Sequence, residues 1–575
     1  MKRMMTTLFA LATILGAMAQ WGNQPGESVV LYDGDISVPE MKMAPNGNTW
    51  VYYQIPADEN YSNLSVHLQL LDTAGNKLLG EYGLMISDKP TRTWTTCNEY
   101  LFVDRDGNAV VAVHDVRNAI EEEYLSYTLY KISQTGEFLW GEDGINLEGT
   151  QSFPLSSHMT MTQVDDGSYV CTWSSANEDL VVNTIKAQRI SPDGEMLWNI
   201  DEVEIIDRTG KVNYDWPTVV DAGYNQVIII YYVGSNRDIY ARKLDFDGTP
   251  VWSEDTRLYR SGWTQVPAWS VTEVSPSGDG GAIVTWTDDR YLTGTNTYIT
   301  YVQPNGEIGF AAGVDGQKLG YSNYLGSQSH CLYDPYTDSF LAVWRESFSA
   351  KAFRIMAQRL SKDGELLWGE NGYEVQPFSE SDYGYFTIQN GANGEAAIFY
   401  MNKENALTST HALATVINTT DTTQRRDVLF TDNTISTGKS TLLSTAMYND
   451  SFWTVAWVDD YLSNPSLHTQ RINNDLTLGA PKDAAIEAVE AENTQFAAVI
   501  SIVEGDALFV ANMPAPTQAV MTVRNMNGAI VATPYQGELA AGRQYIEWSA
   551  NVPAGIYLAT LETAFGAETV KVIVK

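Results

Sequence analysis

The sequence predicts an all-β protein in which one four-stranded unit repeats along most of the chain, with a smaller β domain after it. An octapeptide recurs with small changes, and its clearest copy is Ser191-Pro-Asp-Gly-Glu-Met-Leu-Trp198. Its glycine returns at intervals of 61, 58, 54, 58 and 58 residues, at Gly75, Gly136, Gly194, Gly248, Gly306 and Gly364. A fixed period of this length indicates a repeat architecture. The repeat stops near residue 488, where short alternating β segments begin.

Each unit contains four short apolar or alternating segments separated by turn residues, which is typical of antiparallel strands. In the fourth unit these segments are residues 217–220, 226–232, 238–244 and 249–252. The turn before the last segment ends at Gly248, because a tight hairpin needs a residue with φ > 0. We therefore expect four strands per unit, with residues 249–252 as the fourth.

Four-stranded units repeated at a fixed period predict a β-propeller, a ring of small sheets. Continuing the period by about 56 residues leads to Thr420 and then to Asp475, in turns that lack the glycine. This gives eight blades between residues 41 and 488, and seven is the alternative because the last two copies are degenerate. Residues 20–40 precede the ring, and we expect residues 28–32 to add a strand that closes it.

The tryptophan that ends the octapeptide is expected to pack between neighbouring sheets, where one side chain buries a large apolar area. We predict equivalent, largely buried positions for Trp140, Trp198, Trp252 and Trp368.

Residues 1–19 have the pattern of a signal peptide. Lys2 and Arg3 precede an apolar run, and Ala17-Met-Ala19 fits the cleavage site. No later apolar stretch has the length of a transmembrane helix. The sequence therefore predicts export without a membrane span.

Residues 489–575 have a different pattern, with short β segments near 508–510, 519–524, 529–531, 544–548, 555–561 and 568–574. About seven short strands in this length predict a small immunoglobulin-like sandwich.

The C-terminal stretch resembles the type A sorting domain of cargo of the type IX secretion system of Bacteroidota. The resemblance rests on Val523-Arg-Asn-Met-Asn-Gly528, Pro553-Ala-Gly-Ile-Tyr-Leu558 and Lys571-Val-Ile-Val-Lys575. Such domains usually open with Asn-Pro, where this chain has Asn512-Met-Pro514. The residues assigned to the sorting signal are Gly555, Tyr557, Gly566, Lys571 and Lys575.

The resemblance implies that the type IX secretion machinery is a partner. It also implies delivery to the outer-membrane surface or the medium. The formal net charge of −36 argues against binding nucleic acid and favours a soluble monomer. Cys97, Cys171 and Cys331 are too few for a disulfide framework, so we expect buried thiols.

Candidate ligand-binding residues follow the second strand of several units, where loops share one face with the connections between units. Carboxylates, arginine and aromatic rings gathered at one mouth suit a sugar or a peptide. The alternative is a solvated loop in which Asp caps free amides. The candidates are His114, Asp115, Asp288, Asp289, Arg290, Arg345, Glu346, Asp459, Asp460 and Tyr461.

The sequence favours a binding or interaction platform for glycans, peptides or surface proteins, without an evident nucleophile motif. The alternative is a glycoside hydrolase or lyase that uses the loop carboxylates. No cofactor or metal site is predicted, because the six histidines lack metal-ligand spacing. The turns at residues 141–144 and 245–248 resemble fragments of calcium loops without the later Glu, which leaves structural calcium as an alternative there.

Overall fold

The computed structural model describes the following residues: 21–36, 39–57, 64–88, 100–115, 126–147, 156–176, 183–199, 203–205, 212–260, 266, 272–290, 294–349, 352–379, 382–403, 410–431, 441–448, 450–459, 464–480, 496–503, 506–513, 515–540, 542–549 and 551–574. The predicted signal peptide lies outside these residues. The chain divides into two compact units, Met1–Pro481 and Lys482–Lys575. The described part of the chain contains no helix with the length and apolar composition of a membrane span.

The first unit consists of four-stranded antiparallel sheets, which confirms the predicted all-β class. Its first strand is β1 (Val29–Asp33). Seven sheets of four consecutive strands then follow in the described part of the chain. Their strands are β2 (Glu40–Met43), β3 (Thr49–Pro56), β4 (Leu64–Leu71) and β5 (Leu84–Ser87); β6 (Tyr100–Val103), β7 (Ala109–Asp115), β8 (Ser126–Ile132) and β9 (Ile145–Asn146); β10 (Ser156–Gln163), β11 (Tyr169–Ala176), β12 (Asn183–Ile190) and β13 (Glu204–Ile205); β14 (Tyr214–Asp221), β15 (Val227–Val233), β16 (Asp238–Leu244) and β17 (Thr256–Tyr259); β18 (Glu273–Pro276), β19 (Ala282–Asp288), β20 (Asn296–Val302) and β21 (Gln317–Lys318); β22 (Leu325–Asp334), β23 (Ser339–Ser349), β24 (Ala352–Leu360) and β25 (Tyr373–Ser379); and β26 (Asp382–Asn390), β27 (Glu395–Lys403), β28 (Thr410–Asn418) and β29 (Arg425–Leu429). A short 3-10 helix, Ala392–Gly394, lies between β26 and β27.

One more sheet of this unit joins the two ends of its sequence. It contains β30 (Thr441–Tyr448), β31 (Phe452–Asp459), β32 (Ser466–Asn473) and, as the fourth strand beside β32, β1. The first strands of successive sheets contact one another from β2 through β6, β10, β14, β18, β22 and β26 to β30, and β30 contacts β2. The hydroxyls of Thr49 and Thr454 lie 3.4 Å apart across this last junction. The contacts between first strands therefore form a closed cycle.

The fourth strand of each unit was predicted too early. In the fourth unit, residues 249–252 contribute only an isolated bridge, between Leu244 and Pro250, and the fourth strand is β17. The same single bridge follows the corresponding turn in six other units. The segment leaves the sheet after one bridge because its last side chain packs on the next unit.

The recurring tryptophans do occupy equivalent positions. Their indole N–H groups donate to a carbonyl in the turn of the next unit, at 3.0 Å for Trp140, 3.0 Å for Trp198, 3.2 Å for Trp252 and 3.2 Å for Trp368. Only Trp198 is buried, at 7 % exposure, whereas the other three are half-buried. The prediction of largely buried rings was therefore wrong for three of them, because this position lies at the outer edge of the sheets.

The N-terminal segment supplies the same contact for the last unit. Trp21 donates its indole N–H to the carbonyl of Thr73 at 3.2 Å. Its ring packs against Gly75, where a Cβ atom would lie 2.8 Å from the ring. Since β1 also pairs with β32, the beginning of the chain provides both an outer strand and an aromatic contact to the sheet formed by the end of this unit.

The C-terminal unit contains β33 (Phe496–Val503), β34 (Asp506–Met513), β35 (Thr517–Asn525), β36 (Ile530–Leu539), β37 (Gly542–Ser549), β38 (Gly555–Thr563) and β39 (Gly566–Val574). They form a three-stranded sheet, in the order β33-β34-β37, and a four-stranded sheet, in the order β36-β35-β38-β39. Buried residues of both sheets, such as Phe509, Trp548, Met521 and Leu561, share one apolar core. The unit is therefore a two-layered β structure.

The residues assigned to the sorting signal lie at the last two strands. Gly555 and Gly566 begin β38 and β39. Tyr557 is buried and donates to the carbonyl of Pro553 at 2.7 Å. Lys571 is exposed and pairs with Leu558, and Lys575 lies outside the described residues.

Two of the three cysteines lie in the described residues, and the expectation of buried thiols holds for both. Cys171 and Cys331 are free and buried. Burial raises the pKa of each thiol to about 12. Cys97 lies outside the described residues.

Candidate functional site

Asp288 and Arg290 form an ion pair inside their own sheet. Asp288 is fully buried, accepts the indole N–H of Trp286 at 2.8 Å and lies 2.6 Å from a guanidinium nitrogen of Arg290. The guanidinium stacks over the ring of Tyr298, with its carbon 3.6 Å from the ring centroid. Asp289 is half-buried beside this pair. The carboxylate of Asp288 is engaged by Trp286 and Arg290 within the sheet and does not face a ligand site.

Glu346 repeats this arrangement in the sheet that begins with β22. It accepts the indole N–H of Trp344 at 3.1 Å and lies 2.6 Å from a guanidinium nitrogen of Arg354. Its neighbour Arg345 lies over the ring of Phe353. A buried indole N–H needs an acceptor, and the carboxylate two residues later supplies it. The Trp-x-acid pattern is therefore a structural device of these sheets.

The other predicted ligand-binding residues do not gather into one site with Asp288 and Glu346. His114 is buried and stacks on Tyr127, with the ring centroids 4.6 Å apart. Burial lowers the pKa of His114 to about 3. Asp115 and Asp459 end β7 and β31, whereas Asp460 and Tyr461 lie outside the described residues.

A cavity lies between the first strands of several sheets, and we call it the central cavity. Its volume is about 540 Å³, within the range of about 300–1,000 Å³ typical of ligand sites. Since Asp450 belongs to a turn between a first and a second strand, the cavity reaches the face of the short turns. The residues that line it are Lys42, Glu273, Ser275, His330, Cys331, Leu332, Thr387, Ile388, Gln389, Asn390 and Asp450.

Some polar side chains of the central cavity connect neighbouring sheets. The hydroxyl of Ser275 donates to the carbonyl of Cys331 at 2.8 Å, and the amide of Asn390 donates to the carbonyl of Tyr333 at 3.0 Å. These side chains hold the wall in place.

Charged and titratable groups of four sheets face the same space. The Nδ1 atom of His330 lies 3.5 Å from a carboxylate oxygen of Glu273. The ring of Phe386 packs edge-on against His330, with centroids 5.1 Å apart. Lys42 and Asp450 line the cavity from β2 and from the turn after β30. Both signs of charge together with an imidazole suit a polar ligand that carries several hydrogen-bonding groups.

Sequence reasoning missed the central cavity because it searched the loops. The available signal was a polar residue within a predicted first strand, such as Lys42, Glu273 or His330. The first strand is innermost in a ring of sheets, so such a residue faces either a neighbouring sheet or the axis.

The polar groups of the octapeptide turns form hydrogen bonds within the turn itself. The carboxylate of Asp245 accepts the amide N–H of Thr249 at 3.0 Å, and the amide of Gly248 donates to the carbonyl of Asp245 at 3.0 Å. In the described part of the chain, no group of three or more His, Cys, Asp or Glu side chains is arranged to hold a metal ion.

Comparison with known proteins gave no matching family model and no matching curated protein. Among solved structures, an alpha-L-arabinanase from Penicillium chrysogenum, complexed with arabinobiose, is 15 % identical over 61 % of this chain and 97 % of its own, with a TM-score of 0.33. A protein of unknown function from Dyadobacter fermentans is 9 % identical over 78 % of this chain and 99 % of its own, with a TM-score of 0.33. An endo-1,5-alpha-L-arabinanase from Thermotoga petrophila is 12 % identical over the same shares, with a TM-score of 0.29. TM-scores at this level do not define a shared fold, so the assignment rests on the sheets of this chain.

Proposed function

We propose that this chain is an exported eight-bladed β-propeller that binds a polar extracellular ligand, a glycan or a peptide, in the central cavity. The blade count is supported by the closed cycle of contacts between the first strands, from β2 to β30 and back. A propeller places one first strand of each blade around its axis, where this cavity lies.

The observation that carries the function is the convergence of Lys42, Glu273, His330 and Asp450 on one space of about 540 Å³. These groups come from four different sheets, so the cavity exists only in the assembled ring. Glu273 and Asp450 accept hydrogen bonds, and Lys42 donates them. The net charge of −36 disfavours polyanionic ligands, because the field of the whole protein repels them.

Glycoside hydrolysis is the second candidate function. It is favoured by one observation, that carboxylates from two different sheets, Glu273 and Asp450, line the same cavity. Most glycosidases place two carboxyl groups on either side of the scissile bond, where one protonates the leaving oxygen and the other acts as nucleophile or activates water. This assignment replaces the carboxylates Asp288 and Glu346, which lie in β19 and β23 and are engaged in ion pairs.

The test is a glycan and peptide array on the chain from residue 20 to residue 575, followed by calorimetry of each hit. We expect Glu273→Gln to weaken binding by about tenfold or more, since a lost hydrogen bond to a charged group costs about 1.5–3 kcal/mol. Asp193→Asn, an exposed turn residue, is the matched control and should bind normally. Unchanged affinity of Glu273→Gln would exclude the central cavity.

The same hits separate binding from hydrolysis. A hydrolase releases new reducing ends from the bound glycan, and Glu273→Gln or Asp450→Asn should then stop turnover. A binding protein leaves the glycan intact over prolonged incubation.

We further propose that the C-terminal unit directs export through the type IX secretion machinery, after removal of residues 1–19. The proposal is supported by the resemblance described above and by the separation of residues 482–575 into a compact unit of their own. The mature protein would then act at the outer-membrane surface or in the medium.

A further inference from the structure

A second cavity lies among the first strands of three successive sheets, and we call it the His158 pocket. Its volume is about 120 Å³. His158 and Trp216 lie near the beginnings of β10 and β14, and Tyr232 lies near the end of β15. The pocket is therefore at the end opposite the short turns, away from Asp450. The residues that line it are His158, Met159, Thr160, Trp216, Pro217, Thr218, Tyr232 and Thr272.

Two residues of this pocket have an unusual backbone conformation. His158 and Trp216 have φ values of +52° and +55°, a region that residues other than glycine rarely adopt. Each sits at the same irregularity of neighbouring strands, where the pairing register shifts between Ser157 and Thr160 and between Asp215 and Thr218. Bulges of this kind re-aim a side chain, and the same irregularity occurs at Gln328 in β22. Here the two bulges bring the rings of His158 and Trp216 into a stack, with centroids 3.7 Å apart.

A half-buried carboxylate, that of Asp215, lies beside this stack. Asp215 lies 3.5 Å from Nδ1 of His158, accepts the hydroxyl of Ser174 at 2.5 Å and accepts the side-chain amide of Asn183 at 3.0 Å. Burial raises the pKa of Asp215, but the neighbouring imidazole of His158 and the hydrogen bond from Ser174 lower it by more, so the net shift is downward. Because Asp215 is satisfied by these donors, the pocket does not require a cationic ligand.

The wall of the pocket combines apolar rings with hydroxyl groups. Tyr232 and Thr272 share a hydrogen bond between their hydroxyls. The guanidinium of Arg237 lies over the rings of Trp216 and Tyr232, at 5.4 Å and 5.2 Å from the centroids. Thr218 adds another hydroxyl to the lining.

We propose that the His158 pocket binds a single neutral sugar ring, the terminal unit of a saccharide. Pockets for drug-sized ligands have volumes of about 300 Å³ or more. The His158 pocket, at about 120 Å³, is much smaller, so it suits a single ring. A sugar ring presents apolar C–H groups and hydroxyls together, which matches the mixed wall. The net charge of −36 disfavours an acidic sugar. This site is independent of the central cavity and of its ligand.

The test is saturation-transfer difference NMR on the chain from residue 20 to residue 575, with methyl glycosides of neutral hexoses and pentoses as probes. The blocking variant is Thr218→Phe, which fills the pocket. The matched control is Thr249→Phe, which makes the same change at an exposed turn residue outside both cavities. Wild type and Thr249→Phe should both transfer saturation to at least one neutral glycoside, whereas Thr218→Phe should weaken its binding by about tenfold or more. Near-ultraviolet circular dichroism checks that both variants fold.

Three results would overturn the proposal: no transfer to any neutral glycoside, equal transfer in wild type and Thr218→Phe, or preferential binding of N-acetyltyrosine amide, which stands for a peptide side chain. Glu273→Gln should leave this glycoside signal unchanged, because the two sites are independent. Loss of the signal in Glu273→Gln but not in Thr218→Phe would place the glycoside in the central cavity and overturn the His158 pocket.

Discussion

Replacing Trp198 tests the contact that joins each unit to the next. Its ring is 7 % exposed and packs in a core with Val203, Val219 and Ile229. It also covers Gly248 of the next unit, where a Cβ atom would lie 3.3 Å from the indole. The substitution therefore removes apolar contact between two sheets and one hydrogen bond.

The expected loss in free energy of unfolding has one contribution from the apolar contact and one from the hydrogen bond. Truncation of a buried Trp to Ala costs about 3–5 kcal/mol in free energy of unfolding, with the cavity included. Trp198→Phe keeps most of the ring and loses the indole hydrogen bond, a difference of about 0.5–1.5 kcal/mol. The lower end applies here, because the carbonyl of Phe246 still accepts the guanidinium of Arg189. Phe310 occupies the corresponding place in its own unit and is buried, so a phenyl ring fits this position.

Urea unfolding of the chain from residue 20 to residue 575, followed by near-ultraviolet circular dichroism, measures both variants. We expect Trp198→Ala to lose several times as much stability as Trp198→Phe. Trp368→Ala is the graded control and should lose less than Trp198→Ala, because its ring is already half-exposed. If Trp198→Ala is as stable as wild type within about 0.5 kcal/mol, the contact between units does not stabilise the ring.

Three further predictions concern His114, the N-terminal closure and the C-terminal unit. Burial lowers the pKa of His114 to about 3, whereas an unfolded His titrates near about 6.5, so the unfolded chain binds a proton that the folded chain excludes. The free energy of unfolding should therefore fall by about 1.4 kcal/mol per pH unit below about pH 6.5 on account of this group, and His114→Gln should be less sensitive when urea unfolding is compared at pH 7 and pH 5. Trp21→Ala should destabilise the unit Met1–Pro481 by about 3–5 kcal/mol in the same assay, since it removes the contact between the N-terminal segment and the turn at Gly75. Equal stability would show that this contact is dispensable. Residues 490–575 should carry an exported reporter across the outer membrane of a host with type IX secretion, and deletion of Lys571 to Lys575 should retain it in the periplasm, as fractionation and immunoblotting would show; delivery of the deleted form would contradict the sorting role.

Many strands and turns could be predicted because the same pattern of apolar segments and turn residues recurs in each repeat. The third strand of the fourth unit, Asp238–Leu244, has the bounds that the alternation indicated. The degenerate turns near Thr420 and Asp475 are turns in the structure, and Leu476 adopts a φ of +66° where other units have glycine. The fourth strand was misplaced because an apolar segment after a turn has the same composition whether it continues the ladder or packs on a neighbour.

The closure by Trp21 could not be predicted from the repeat. The eighth unit shows no tryptophan after its turn, and its substitute comes from the other end of the chain, more than four hundred residues away in sequence. Only the pairing of β1 with β32 brings the two together.

The two cavities could not be predicted from the sequence either, because their lining depends on burial and on strand register. Loop carboxylates such as Asp288 and Glu346 looked functional because they are charged, but burial beside an indole N–H and a guanidinium turns the same charge into a structural pair. Which side chains of a first strand face the interior depends on the strand register, and sequence spacing does not reveal that register. At His158 and at Trp216 a bulge shifts the register and so reverses which side chain faces inward. Since the lining of each cavity comes mostly from the first strands of several sheets, a binding surface arises from neighbouring sheets together. A substitution in one sheet should then weaken a ligand held by several sheets, and the chemistry of each cavity follows from which sheets meet there.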